Sequence, residues 1–452
     1  MSGSDAVSIW DRERIWVTLG AVALIFLGAI EALAVTTVMP VVSAALDGAA
    51  LYAVAFAGTL ATSVIGMVVC GAWSDARGPR GPLYVAVALF IAGLLISGLA
   101  VSMGQFLVGR LVQGLGAGGQ TVALYVVVAR IYPPHLHGRI FAAFAAAWVV
   151  PAMIGPFLAG AVAEFLDWRW AFLGVAVLTL VAFIMVAVRL RALDLGGGEG
   201  RIAGLGRRLA LAVVVACGAV AVGLAADAPP LAGWPIALIA VAVIGVAVVP
   251  LLPKGVLRAG HGLPSVILIR GLVAGAFFAA EAYIPYLLMA EFGFTPTWAG
   301  IALMLAAFAW AGCSALQGRY GEALGNRRIA LISLTLLGVA FLSVLLTAVT
   351  AASPVVVIIG WGLGGGGMGL LYPRLTVLTL AYSTSGNAGF NSSALSISDA
   401  TGSAVSVALA GLAVATLGGG SSSFPVVFAF AIALVLVSVV PGLRLGHGAE
   451  PD

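Results

Sequence analysis

Apolar residues recur in long stretches from Ile15 to Pro441, separated by short polar breaks. A helix needs about 20 mostly apolar residues to cross the hydrocarbon core of a bilayer, where its backbone must satisfy its own hydrogen bonds. The pattern predicts spanning helices over roughly 16–42, 51–73, 81–101, 104–131, 139–164, 170–189, 208–226, 233–252, 264–290, 297–318, 328–350, 354–381, 388–416 and 424–441. These fourteen segments predict an all-α, polytopic membrane protein. The pair within 208–252 is the weakest part of the count. If that pair does not span, the flanking halves keep their orientation, and the alternative is twelve helices with an amphipathic insert.

Composition agrees with the pattern: 62% of the 452 residues are hydrophobic and 8% are charged, against about 25% charged in ordinary soluble domains. The formal charge of +4 does not point to nucleic acid, because the basic residues are scattered through short loops between apolar runs. In the fourteen-helix topology Arg77, Arg80, Arg139, Arg189, Arg258, Arg319, Arg327 and Arg444 share one side, and Arg169 lies opposite. Positive charge marks cytoplasmic loops, so both termini are expected in the cytoplasm and the protein in the inner (cytoplasmic) membrane. The charged stretch Asp11–Arg14 followed by a long apolar run reads as a first spanning helix, not a cleaved leader.

Little points to catalysis. Cys70, Cys217 and Cys313 fall inside predicted spans with no CxxC pair, which argues against a disulfide framework or zinc site. No metal-ligand spacing and no GxxxxGK[ST] loop occur, and His135, His137, His261 and His447 lie in loops or the tail. The expectation is no enzyme, no metal and no cofactor. The Gly-rich stretch Arg191–Arg208 reads as a linker. It divides the chain into a first six-helix bundle (1–190), a linker with two additional spans (191–263), a second six-helix bundle (264–442) and a tail (443–452).

The halves carry a repeat. Gly71-Ala-Trp-Ser-Asp75-Ala-Arg-Gly78-Pro-Arg80 stands between the second and third helices, and Gly318-Arg-Tyr-Gly-Glu322-Ala-Leu-Gly325-Asn-Arg327 at the corresponding place in the second half. Both read GxxxD/ExxGxR. Glu31 precedes Asp75 by 44 residues (75 − 31) and Glu281 precedes Glu322 by 41 (322 − 281), as a duplicated unit would.

The first of these loops resembles the signature loop of the major facilitator superfamily. Arg110-Leu-Val-Gln113-Gly114-Leu-Gly116 resembles that superfamily's RxxQGxG pattern. Pro151-Ala-Met-Ile-Gly155-Pro156-Phe-Leu-Ala-Gly160 resembles the Gly-Pro motif of its proton-driven antiporters. Asp167-Trp-Arg-Trp170 and the two extra central helices resemble the fourteen-helix drug/proton antiporter branch, although the first helix carries Glu31 where that branch commonly has Asp. The resemblance implies two rocking six-helix bundles, transport of a small molecule coupled to protons, and a monomer in the lipid bilayer.

Charges inside the membrane are costly and ask for a function. Glu31 sits near the middle of its span, where desolvation favours the neutral acid and a nearby guanidinium the charged one. The resemblance implies that Arg110 faces it, so Glu31 and Arg110 are the proton-coupling candidates; a static buried ion pair is the other reading. Glu281 lies among Phe278, Tyr283 and other aromatics, which suits a lipophilic or cationic substrate; an outer-interface residue snorkelling to water is its alternative. Asp399, on an unusually polar helix, either lines the cavity or bonds to neighbouring helices. Glu281, Asp399, Tyr283, Phe278 and Gln113 form the expected substrate cavity, while Arg270 and Arg374 read as structural or snorkelling. Asp75, Gly78, Arg80, Glu322 and Arg327 form the expected cytoplasmic gate, with the two glycines making tight turns. The function expected is proton-coupled export of small lipophilic or cationic compounds by alternating access. Uptake or facilitated diffusion of a polar metabolite, or export of lipids, is the alternative.

Overall fold

The computed structural model describes residues 9–11, 14–47, 52–191, 205–225, 230–294, 296–417 and 423–446. Fourteen α-helices follow one another among them: α1 Ile15–Ala45, α2 Tyr52–Arg77, α3 Arg80–Gly98, α4 Met103–Ile131, α5 Pro134–Phe165, α6 Trp170–Arg191, α7 Leu205–Leu224, α8 Pro230–Val248, α9 Leu263–Phe292, α10 Pro296–Leu324, α11 Asn326–Thr350, α12 Pro354–Ala381, α13 Ala388–Thr416 and α14 Phe424–Leu443. No strand occurs among the described residues. Thirteen of the helices are long and apolar enough to cross a membrane. The remaining one, α5, is 32 residues long but has several side chains outside the described set.

Local chemistry fixes many helix ends. Proline opens α5, α9, α12 and α14 within the first two positions, where its missing N–H costs nothing. Ser102 and Ser353 cap α4 and α12 by accepting from Gln105 N and Val355 N, both at 3.3 Å. Gly293 closes α9 in the left-handed region at φ 65°. The long apolar segments in between are the ones the hydropathy pattern predicts, with boundaries displaced by a few residues.

Two apolar cores result. One draws on α1–α6 and includes Leu24, Phe90, Phe106 and Phe172; the other draws chiefly on α9–α14 and includes Phe277, Phe341, Trp361 and Phe428. Lipid gives no hydrophobic drive for helix association, so close packing must do it, and small residues let backbones approach. The Gly362–Gly369 run of α12 shows this: a methyl group on Gly365 would run into the backbone of Ala306 on α10. The helices α7 and α8 are both among the apolar candidates for spanning. They form a hairpin whose first helix packs on α2 and whose faces also meet α13, so they lean on the seam between the bundles. Alternation of helix direction collects Arg77, Arg139, Arg189, Arg208, Arg258, Arg319, Arg327 and Arg444 at one end of the molecule, here termed the basic end.

Candidate functional site

The first bundle holds a buried polar cluster. The Arg110 Nη1 donates to the Glu31 carboxylate, joining α4 to α1, and to Gln113 Oε1 at 2.7 Å one helical turn along. The three residues are 4%, 5% and 0% exposed. The pair places opposite charges where neither meets water, and deleting one partner of such a pair costs about 3–5 kcal/mol. Gln113 was expected in the substrate cavity. Its burial and its bond to Arg110 instead make it part of the ion-pair cluster. Arg110 Nε and Gln113 Nε2 have no hydrogen-bond partner among the described residues, so the cluster is incompletely satisfied in this arrangement.

A second cluster lies in the other bundle and joins α9, α12 and α13. Arg270 Nε stands 3.2 Å from Asp399 Oδ1, and its Nη2 donates to Asp399 Oδ2 at 3.2 Å. Its guanidinium lies 3.5 Å from the ring centroid of Tyr372, and Nη1 donates to the Tyr372 carbonyl at 3.2 Å. The Tyr372 hydroxyl completes the ring by donating to Asp399 Oδ1 at 2.7 Å. Tyr125 of the first bundle lies within the electrostatic reach of Arg270 and Asp399. Arg270 therefore neither snorkels nor stands alone: it is 7% exposed and is the partner that makes Asp399 tolerable in the membrane. Sequence reasoning left them separate because 129 positions divide them. The usable signal was charge balance, one buried cation and one half-buried anion, each inside an apolar span.

Glu281 stands apart from both clusters. It is half-buried and makes no hydrogen bond or ion pair among the described residues. It lies eleven residues beyond Arg270 on α9, about 16 Å of helix rise, so the acids Glu281 and Asp399 occupy different levels. Phe278 packs edge-on against Phe277 at 5.6 Å, and Phe277 stacks on Trp361 at 4.5 Å. Tyr283 turns toward α14, with its ring 5.8 Å from Phe424, so the expected single cavity is spread over three places.

The gate residues divide sharply. Asp75 reaches across to the other bundle and accepts from the backbone N–H groups of Gly389, at 2.6 Å, and Phe390, at 2.8 Å. These are at the start of α13, where the first N–H groups of a helix lack internal partners and favour negative charge. Arg130 Nη2 reinforces the crossing by donating to the Ser385 carbonyl at 2.5 Å. Gly71 and Gly389 touch so closely that a methyl on Gly389 would enter the Gly71 carbonyl. In the second half, Gly318 of α10 crosses Gly138 of α5 in the same manner, a methyl there lying 3.0 Å from the Gly138 carbonyl. Gly78 and Gly325 both adopt left-handed φ, 80° and 76°. Yet Glu322 and Arg327 are exposed, and Glu322 makes no hydrogen bond among the described residues. Arg374 does not snorkel either; its Nε donates to Asn326 Oδ1 at 2.7 Å.

Glu322 fails to dock for a reason visible in the helix starts. Gly389 is the second residue of α13, so its N–H is free, whereas Gly138 is the fifth residue of α5, which begins at Pro134. The N–H groups at that crossing are already engaged inside the helix. In the Pro151–Gly160 motif, Pro151 is buried in α5, and Gly155, Pro156 and Gly160 belong to the same helix, their surroundings lying outside the described set.

Comparison with known proteins follows the same lines. Residues 20–204 match the sequence model described as Major Facilitator Superfamily. "Uncharacterized transporter C3H1.06c" of Schizosaccharomyces pombe is 32% identical over 171 residues, which cover 37% of this chain and 29% of that protein. "MFS efflux transporter aclA" of Aspergillus oryzae is 31% identical over 198 residues, covering 42% of this chain and 36% of that one. The chain thus matches well under two thirds of the length of either relative. In fold, the structure of the human organic anion transporter MFSD10 (TETRAN) superposes with a TM-score of 0.72 at 18% identity, over 95% of this chain and 100% of that one. Residues 20–204, the first bundle and the start of the linker, are thus similar in sequence to the major facilitator superfamily, and the whole chain, a multi-pass membrane protein, shares its fold with a solved transporter.

Proposed function

We propose that the protein is a secondary transporter that exports small lipophilic or cationic compounds in exchange for protons. The observation that carries this reading is the buried Glu31–Arg110–Gln113 cluster, an exchangeable acid joined to a fixed cation between two helices of one bundle. Binding a proton neutralises Glu31 and dissolves its attraction to Arg110, so the α1–α4 contact has two states that differ by one proton. Glu281, unpaired and one helical turn from Phe277 and Phe278 on α9, is the anchor for a cationic substrate, through charge and ring faces. An efflux protein among the sequence relatives supports the outward direction.

In this reading the basic end faces the cytoplasm together with both termini, and the protein sits in the cytoplasmic membrane as a monomer. Its working units are residues 1–190 and 264–442, with 191–263 as the inserted hairpin and 443–452 as a tail. Protons, the substrate and the lipid bilayer are its partners; neither nucleic acid, metal, cofactor nor catalytic chemistry enters. A second reading has its own observation: Arg270 is a buried cation, which would suit an organic anion once Asp399 is released from it.

The test is transport into or out of liposomes carrying an imposed pH gradient, with a fluorescent lipophilic cation and an anionic dye as probes. Gradient-driven cation movement, lost in Glu31→Gln while that variant remains folded at the assay temperature despite a lowered melting temperature, is expected. Full gradient-driven transport by that variant removes Glu31 from the coupling, and movement of the anion alone moves the binding site to Arg270.

A further inference from the structure

A cavity of about 610 Å³ opens at the basic end, away from both polar clusters, where α8 turns into α9. Its wall is a stiff elbow of two 3-10 turns, Val249–Leu251 and Val256–Arg258. The elbow is pinned from outside: Arg444 Nη1 donates to the carbonyls of Arg258, at 2.9 Å, and Ala259, at 2.7 Å, and Ser265 Oγ to that of Gly260 at 2.7 Å. Val249, Leu252, Val256 and Leu257 supply an apolar lining, and Lys254 and Arg258 stand on the rim. Leu257 is 67% exposed, as a side chain meeting acyl chains would be.

The far wall is Phe390. Its N–H is one of the two donors that hold Asp75, and its ring lies 4.8 Å from the Arg208 guanidinium. A smaller neighbouring cavity, lined by Arg208, Leu251, Phe390, Ser393 and α2 residues, continues inward from there. Among the described residues neither Lys254 nor Arg258 has an acidic partner; the nearest acid acting on Arg208 is Asp75 itself, already bound to α13.

We propose that this cavity is a binding site for one anionic glycerophospholipid, its phosphate held by Lys254 and Arg258 and an acyl chain laid along Val249, Leu252 and Leu257 against Phe390. The charge is complementary, the depth is that of a helix end, and clusters of Lys and Arg at that level attract the anionic lipids of the cytoplasmic leaflet. The volume is in the range of small-ligand pockets, so it takes part of the lipid while the rest remains in the bilayer. Because the occupant rests on the residue that holds Asp75, its binding stabilises the closed arrangement of α2 against α13. The α7–α8 hairpin thereby acquires a purpose, since it carries the elbow that makes the site.

The experiment uses the full chain in detergent, titrated with phosphatidylglycerol, phosphatidylcholine or glycerol 3-phosphate, with melting temperature and lipid retained in native mass spectrometry as readouts. The wild type is expected to retain phosphatidylglycerol and to melt higher with it. The Lys254→Gln/Arg258→Gln variant should bind it on the order of 10- to 30-fold more weakly. An Arg319→Gln/Arg328→Gln variant, altered at exposed arginines elsewhere on the basic end, should respond as the wild type does. An equal response to phosphatidylcholine, an equal response to glycerol 3-phosphate, or an unchanged response in the Lys254/Arg258 variant each overturns the proposal.

Discussion

The two repeat-related gate loops share a motif, a left-handed glycine and a glycine-to-glycine crossing, and differ in what their acid does. Asp75 clasps two free backbone N–H groups at the start of α13, while Glu322 stays in water. The difference resides in the partner helices: α13 begins one residue before its crossing glycine, and α5 begins four residues before its own. A duplicated sequence motif therefore need not give a duplicated interaction, because the receiving helix end must be in register too.

The comparison can be broken most forcefully at the crossings. Gly389→Leu has no room beside the Gly71 carbonyl, so the closed arrangement should lose roughly 100-fold in population, read as the short-distance fraction between spin labels on the basic ends of α2 and α13. Asp75→Asn removes two charge-assisted bonds, and the closed population should fall about 10- to 30-fold. Arg130→Gln, which gives up one exposed bond to Ser385, should cost at most about fivefold. Gly318→Ala, tested the same way between α5 and α10, should shift its crossing only a few-fold, because the new methyl meets the Gly138 carbonyl at 3.0 Å. Glu322→Gln should stay within about twofold of the wild type; a loss as large as that of Asp75→Asn would mean that the second loop docks after all.

Proton dependence separates the crossings as well. His137, next to Gly138 at the second crossing, lies 2.9 Å from the Tyr132 carbonyl, and burial, with His135 adding to it, holds its imidazole below the ordinary 6.5. A proton thus binds the unfolded chain more readily than the folded one. The contribution of His137 is fully present above pH 6.5 and declines as pH falls below it. Melting temperatures between about pH 7.5 and 5.5 should drop more in the wild type than in His137→Gln.

The helices were legible because apolar runs of spanning length leave few other folds open. The Glu31–Arg110 pair was legible only through family resemblance, since nothing in its spacing brings positions 31 and 110 together. The Arg270–Asp399–Tyr372 ring was not read, because it depends on which faces of three helices meet. The undocked Glu322 was missed for a subtler reason: Pro133-Pro134 does announce an early start for α5, but that matters only once the crossing at Gly138 is known. The expected span 233–252 ran through Val249–Leu251, which instead turns, and the cavity follows from the two tight turns that fold 249–258 back.

The Asp75 clasp has a consequence for how such a protein can change over generations. Its donors belong to the main chain, so exchanging the side chain at position 390 leaves the donor in place, and among standard residues only proline deletes it. The side chain at position 390 can thus follow the lipid and helix contacts around it while the two main-chain bonds to Asp75 are kept.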